Sequence, residues 1–239
     1  MFTFVFLALG MAPSFSAAQA TPPDSTSLSL SSADLKKVLA EMNAASAQFK
    51  SAQAEFKWDT YQAVVQDHDI QTGVIYFARK ANITRMAGYF KAVASQGESK
   101  VVVYDGSQLQ FYQPAIKQMQ IFRAGSNSSQ YESFLTLGFG GSGSDLEKTW
   151  DVALLGHETI DGIAVAKLDL KPRTQSVQNL FSHVTIWVDP SRGISLKQVF
   201  YEPSGDQRTC TYTDIKSNQP IPENIFHIKT APGTTVQVR

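Results

Sequence analysis

Residues 138–143 read Gly-Phe-Gly-Gly-Ser-Gly, a literal G-x-G-x-x-G. That is the spelling of a turn that cradles a dinucleotide pyrophosphate. The chemistry needs a strand before the turn, a long helix opening directly after it and a parallel strand ending in an acidic residue. Here the preceding stretch from Ser128 to Leu137 is helix-like, with Ser129 as a cap and Tyr131, Phe134, Leu135 and Leu137 as apolar positions. Only a short helix-like piece, Ser144 to Thr149, follows. Gly138, Gly140, Gly141 and Gly143 therefore read as a hinge, or a helix C-cap with a flexible joint, and not as a phosphate site.

The other reactive side chains are scattered. His68, His157, His183 and His227 form no H-x-x-x-H pair and have no cysteine partner, so no metal site is spelled. Ser142 and Ser144 sit among glycines without the G-x-S-x-G elbow of a hydrolase. Asp67 and Asp69 flank His68 and, as alternating residues of a strand start, face solvent. Cys210, the one cysteine, lies in a strand-like run with no histidine beside it and reads as an inert buried or half-buried thiol. With one thiol there is no internal disulfide. These residues describe a non-enzyme with no catalytic group, cofactor or metal.

Charge narrows the partners. Lys+Arg and Asp+Glu balance at 21 each, which favours neither nucleic acid nor an anionic membrane surface. The first residues, MFTFVFLALGMAPSFSAAQA, carry an apolar run from Phe2 to Leu9 and an A-x-A site at Ala18-Gln19-Ala20. Residues 1–20 read as a secretory signal peptide cut before Thr21, leaving 21–239 as a single domain. The alternative, an uncut membrane anchor, meets a run shorter than the ~20 apolar residues that a spanning helix needs.

The elements that would position any site are mostly strands. One amphipathic helix is predicted at about 34–48, capped by Ser31 or Ser32, with Leu35, Val38, Leu39 and Met42 at helical spacing. Strands are predicted at 52–58, 68–78, 83–91, 101–104, 108–112, 117–122, 151–157, 163–170, 182–188, 194–201 and 207–216. Asp105-Gly106, Asp161-Gly162, Asp189-Pro190 with Gly193, and Ser204-Gly205-Asp206 mark tight turns, so neighbouring strands are antiparallel. About eleven strands with one apolar face each, and few helices to cover them, must curl into a closed or half-closed barrel. Leu109 and Phe111 share one face of their strand, and Met119 and Ile121 one face of the next. The pattern alone leaves two interiors open, a fully packed core, which it favours, and an apolar cavity plugged by the helices.

The early helix "LKKVLAEMNAASAQF", the strand "TGVIYFARK", the run "VVVYDGSQLQFYQPAIKQMQIF", then "VTIWVDPSRG" and the closing "PENIFHIKTAPGTTVQV" follow one another in an order that resembles the LolA-type lipoprotein carriers. The likeness covers most of the chain beyond the signal peptide. It implies a mainly β fold, an incomplete antiparallel β-barrel of about eleven strands with a helical lid over an apolar cavity. It implies a monomeric periplasmic carrier that moves lipoprotein acyl chains from an inner-membrane ABC-type release complex to an outer-membrane acceptor. Similar half-barrels also serve as lipid-sensing regulatory domains, the alternative function. The family's latch, an Arg at the end of the second strand that bonds lid backbone, falls on Arg79, with Lys80 competing because the family's usual Pro is missing there. Tyr76, Ile83, Leu109, Phe111, Met119 and Ile121 would line the cavity, and Phe134, Leu137 and Phe139 would cover it from the lid.

Overall fold

The computed structural model describes residues 25–81, 83–91, 98–123 and 135–239. The predicted signal peptide at 1–20 and Phe134, with the rest of the helix-like stretch before Leu135, lie outside the described residues.

Twelve strands form one sheet: β1 (Ser51–Gln62), β2 (Asp67–Lys80), β3 (Ile83–Lys91), β4 (Glu98–Tyr104), β5 (Gln108–Gln113), β6 (Gln118–Arg123), β7 (Trp150–Ile160), β8 (Ile163–Pro172), β9 (His183–Asp189), β10 (Ile194–Tyr201), β11 (Gln207–Ser217) and β12 (Thr235–Val238). Their order across the sheet is β12-β6-β5-β4-β3-β2-β1-β11-β10-β9-β8-β7. Two antiparallel meanders, β1–β6 and β7–β11, are joined where β1 pairs with β11. The turns are those the sequence announces. Asp161 and Gly162 both take positive φ, 50° and 77°, the backbone that matches strand twist in a two-residue hairpin. The Asp105 carboxylate accepts from the Ser107 and Gln108 amides at 2.8 and 2.9 Å.

The twelfth strand, β12, has no counterpart among the predicted strands. It pairs in parallel with β6, and the sheet remains open. Three helices accompany the sheet among the described residues: α1 (Ser25–Gln48), α2 (Gly143–Thr149) and α3 (Gln175–Gln178). Helix α1 starts earlier than predicted, so positions 31 and 32 lie inside it and not before its first turn.

The sheet curls. Strands β5 and β10 are six steps apart, about 29 Å in a flat sheet, yet Phe111 and Phe200 line one cavity. Helix α1 crosses the inner face. Leu35, Val38, Leu39 and Met42 pack with Trp150, Leu168, Leu170 and Ile186 of the second meander. Phe49, just past the helix, packs with Phe56, Phe77 and Met86 of the first. The outer face of the first meander is also covered. Ile221, Ile225, Phe226 and Ile228 of the C-terminal segment pack over Ala87, Val101, Val103, Tyr112 and Met119. Glu223 fixes that segment through Arg85 at 2.5 Å and Lys80 at 3.3 Å, and the Arg85 guanidinium lies 4.3 Å from the Phe226 ring centroid.

Candidate functional site, an apolar cavity with one polar end

Alternation along the strands sends every second side chain to the inner face. On β1 these are Phe56, Trp58 and Thr60; on β2 Gln71, Ile75 and Phe77; on β3 Met86 and Phe90; on β4 Lys100 and Val102; on β5 Phe111. From the other meander come Gln198 and Phe200 of β10 and Arg208, Cys210 and Tyr212 of β11. Together with Leu135 and Leu137 they line a part-open cavity of about 500 Å³. Gly88 lines the same space, widening the floor where a side chain would fill it. The Cys210 thiol is pushed up to about 12 by burial, so it is a packing group and not a nucleophile.

One end of the cavity is closed by residues 135–142, which lie between α1 and the sheet. Phe139 stacks on Phe77 with ring centroids 4.0 Å apart and meets Tyr212 edge-on at 4.8 Å. The backbone of this segment is tied down throughout. The Ser195 amide donates to the Gly138 carbonyl at 2.7 Å, and the Gly140 amide to the Gly193 carbonyl at 3.0 Å. Gln198 Nε2 donates to the Leu137 carbonyl at 2.5 Å while its Oε1 accepts from the Tyr212 hydroxyl at 3.1 Å. Arg79 spans the closure: Nη1 donates to the Ser46 carbonyl near the end of α1 and Nη2 to the Gly140 carbonyl, each at 2.5 Å. The Ser46 hydroxyl donates to the same Gly140 oxygen at 2.7 Å. The guanidinium also lies 5.3 Å from the Phe49 ring centroid.

This geometry separates Arg79 from Lys80. Adjacent strand residues point to opposite faces, and the Lys80 ammonium bonds Glu223 on the outer side. The glycines differ from the loose joint that the sequence suggests. A Cβ on Gly140 would enter the Phe49 ring, one on Gly138 would meet the Ser195 hydroxyl, and one on Gly143 would meet Leu39 backbone at 2.5 Å. Only Gly141 of the four has open space around it. Gly138 and Gly140 also need positive φ, 73° and 77°. In this closed form Gly138, Gly140 and Gly143 are required by close packing.

Of the residues expected to line the cavity, Phe111 and Leu137 do so. Leu109 packs against the same inner cluster, and Phe139 belongs to that cluster beneath the cavity. Tyr76, Met119 and Ile121 face the other way, toward the C-terminal segment. Ile83 is 40% exposed at the start of β3, against Gly106. The reason is register. A turn at Pro114–Ile116 with Lys117 in the left-handed region pairs Gln113 with Gln118, so Phe111 faces Gln120 and Tyr112 faces Met119. Odd-numbered residues of β5 thus share a face with even-numbered residues of β6. Ile75, Phe77, Phe90 and Phe200 were missed as lining residues, although each is an apolar member of an alternating strand. Alternation does not say which of two covered faces is the inner one.

The histidines stand apart from the cavity lining. His68 Nδ1 lies 2.7 Å from Asp59 at the exposed start of β2, and His183 Nδ1 lies 2.6 Å from Asp169 with its ring stacked on Tyr201. Among the described residues no three His, Cys, Asp or Glu side chains are grouped as metal ligands.

Comparison with known proteins agrees with this architecture. A comparison with curated proteins found no match. Among solved structures, an uncharacterized conserved protein from Thermus thermophilus is similar at 11% identity and a TM-score of 0.54, over 86% of this chain and 99% of that one. MucB is similar at 17% identity and a TM-score of 0.51, over 82% of this chain; the match spans 63% of MucB. A LolA superfamily protein from Nitrosomonas europaea is similar at 17% identity and a TM-score of 0.41, over 81% of this chain and 97% of that one. Residues 82–230 match the profile of a family described as "Uncharacterized protein". The chain belongs to that family, and its curled, open sheet is a fold it shares with MucB and the Thermus thermophilus protein.

Proposed function

We propose that this protein is an exported periplasmic carrier that shields the acyl chains of a lipoprotein or related lipid while they cross between the inner and outer membranes. The observation that carries the reading is the apolar cavity closed at one end by a segment clasped through Arg79. An acyl chain is recognised by apolar area alone, at ~0.8 kcal/mol per buried methylene. The cavity offers such area from Phe56, Trp58, Ile75, Phe77, Phe111 and Phe200. Its polar groups among the described residues are Thr60, Gln71, Lys100, Gln198, Arg208 and the Tyr212 hydroxyl.

In this reading residues 1–20 are removed on export, and residues 21–239 act as one monomeric domain. Arg79 is the latch, and the segment from Leu135 through the glycines is the part of the lid that moves. Cargo arrives from an inner-membrane ABC-type complex and leaves to an outer-membrane acceptor. Mass spectrometry of lipid bound to protein purified from the periplasm, followed by transfer of that cargo to acceptor membranes, tests the proposal. A protein that is free of lipid and cannot deliver acylated cargo would contradict it.

A second reading follows from the likeness to MucB, which has also been solved in complex with MucA. There the half-barrel would report lipid to a partner protein. Lipid-dependent capture of a periplasmic partner, without transfer of the lipid, would favour it.

A further inference from the structure

The cavity is not uniform along its length. Near the Arg79 closure its walls are aromatic and aliphatic. At the opposite end four strands each place a polar side chain on the inner face: Thr60, Gln71, Lys100 and Arg208. Strand register brings them together. Thr60 pairs with Arg208, Trp58 pairs with both Gln71 and Cys210, and Phe90 pairs with both Gly73 and Lys100.

The two cations there differ. Arg208 already holds Glu202 at 2.6 Å. Lys100 donates to the Gln71 side-chain oxygen at 2.6 Å, and its ammonium lies 3.9 Å from the Phe90 ring centroid. Among the described residues no carboxylate lies within ion-pairing distance of it. Burial lowers the Lys100 pKa, with the more distant Asp69 charge acting against the shift. A partly buried cation held by neutral groups gains most from an anion brought to it.

Volume limits the tail. A methylene fills about the space of a water molecule in the liquid, ~30 Å³. A cavity of about 500 Å³ therefore has room for roughly 17 methylenes, on the order of one long acyl chain.

We infer that the ligand of this closed form is an amphiphile with a single acyl chain and an anionic head, carboxylate or phosphate, its head at Lys100 and its tail running toward Phe77. This inference rests on the acyl-binding reading above and names the ligand class for the same cavity.

Isothermal titration calorimetry of the full mature protein tests it, with four probes kept below their micellar concentrations: palmitate, hexadecyl phosphate, hexadecanol and hexadecyltrimethylammonium. The expected result is one-to-one binding of at least one anionic probe, about tenfold or more tighter than hexadecanol, with the ammonium probe weakest. The palmitate and phosphate arms tell which head is preferred. Lys100→Met, which keeps an apolar stem, should weaken the anionic probe about tenfold and leave hexadecanol within twofold. Lys100→Arg should retain the preference. Binding of all four probes with equal affinity, or an equal loss for hexadecanol in Lys100→Met, would overturn the headgroup assignment and leave the acyl cavity standing. Binding of none would overturn the acyl cavity itself. Should Lys100→Met fail to fold, the comparison of the four probes on the unaltered protein still decides.

Discussion

Replacing Arg79 with Leu removes the two guanidinium bonds that join the end of α1 to the closing segment. A hydrogen bond from a charged donor contributes about 1.5–3 kcal/mol. The lower end applies here, because neither acceptor is orphaned. The Gly140 carbonyl keeps the Ser46 hydroxyl at 2.7 Å, and the Ser46 carbonyl keeps the Phe49 amide at 3.2 Å. Two bonds at the lower value give about 3 kcal/mol, or about 150-fold in the equilibrium between closed and open segment. Amide hydrogen exchange reads that equilibrium at Phe139 and Gly140, whose N–H groups are held by the Thr136 and Gly193 carbonyls at 2.9 and 3.0 Å. Protection at these two amides should fall about 150-fold, while strands β8 and β9 stay unchanged. Lys80→Leu, which breaks only an exposed pair with Glu223, should change neither amide. In the carrier reading the Arg79→Leu protein also holds its cargo longer, because the empty closed form no longer competes as well. Equal protection in the wild-type and Arg79→Leu proteins would refute the reasoning, since the clasp would then contribute nothing to closure.

Gly140→Ala should destabilise the fold by at least about 2 kcal/mol in urea denaturation, from positive φ and the Phe49 ring together; Gly141→Ala, with open space around it, should stay within about 0.5 kcal/mol. Gln198→Leu strands the buried Leu137 carbonyl, leaves the Tyr212 hydroxyl with the Cys210 thiol, and should cost about 1–3 kcal/mol in the same assay. Tyr212→Phe should cost less, because the bond from Gln198 to Leu137 survives it. The Arg85 guanidinium, with Lys80 beside it, holds the Glu223 carboxyl down to about 2, so its contribution is complete above the ordinary glutamate value near ~4.3 and is lost as pH falls through about 2. Limited acid proteolysis should therefore detach the C-terminal segment first in that window, and Glu223→Gln should loosen the segment at neutral pH and remove the pH dependence.

Much of the fold was legible because its strands end at turns with their own chemistry. Asp161-Gly162 fixes one hairpin by positive φ at both residues, and Asp105-Gly106 another by the Asp105 carboxylate, which accepts from the Ser107 and Gln108 amides beside Gly106 at positive φ. Arg79 was legible through the run "GVIYFAR", and its donors do reach the Gly140 carbonyl. The face of β6 was not legible. Met119 and Ile121 look like inner residues when each strand is assumed to have one buried side. Here the C-terminal segment covers the outer side of the first meander, so both faces of β4, β5 and β6 carry apolar residues. Only the turn at Pro114–Lys117 decides which is which. The close approach at the glycines was not legible for a related reason. A glycine needed for close approach and a glycine needed for freedom are spelled alike, and the Phe49 ring that crowds Gly140 is 91 positions away in sequence. β12 escaped because four residues pairing in parallel with β6 carry no hairpin signal.

The central claim is that the inner face of the half-barrel, and not its outer face, holds an acyl chain. Phe111 and Met119 test it most directly, because they sit on adjacent strands and point to opposite sides of the sheet. A photoreactive phenylalanine analogue placed at either position, irradiated in the presence of an acylated cargo, reports which side the chain occupies. The account predicts crosslinking from position 111 and none from position 119. Equal capture at both, or capture from 119 alone, would contradict it.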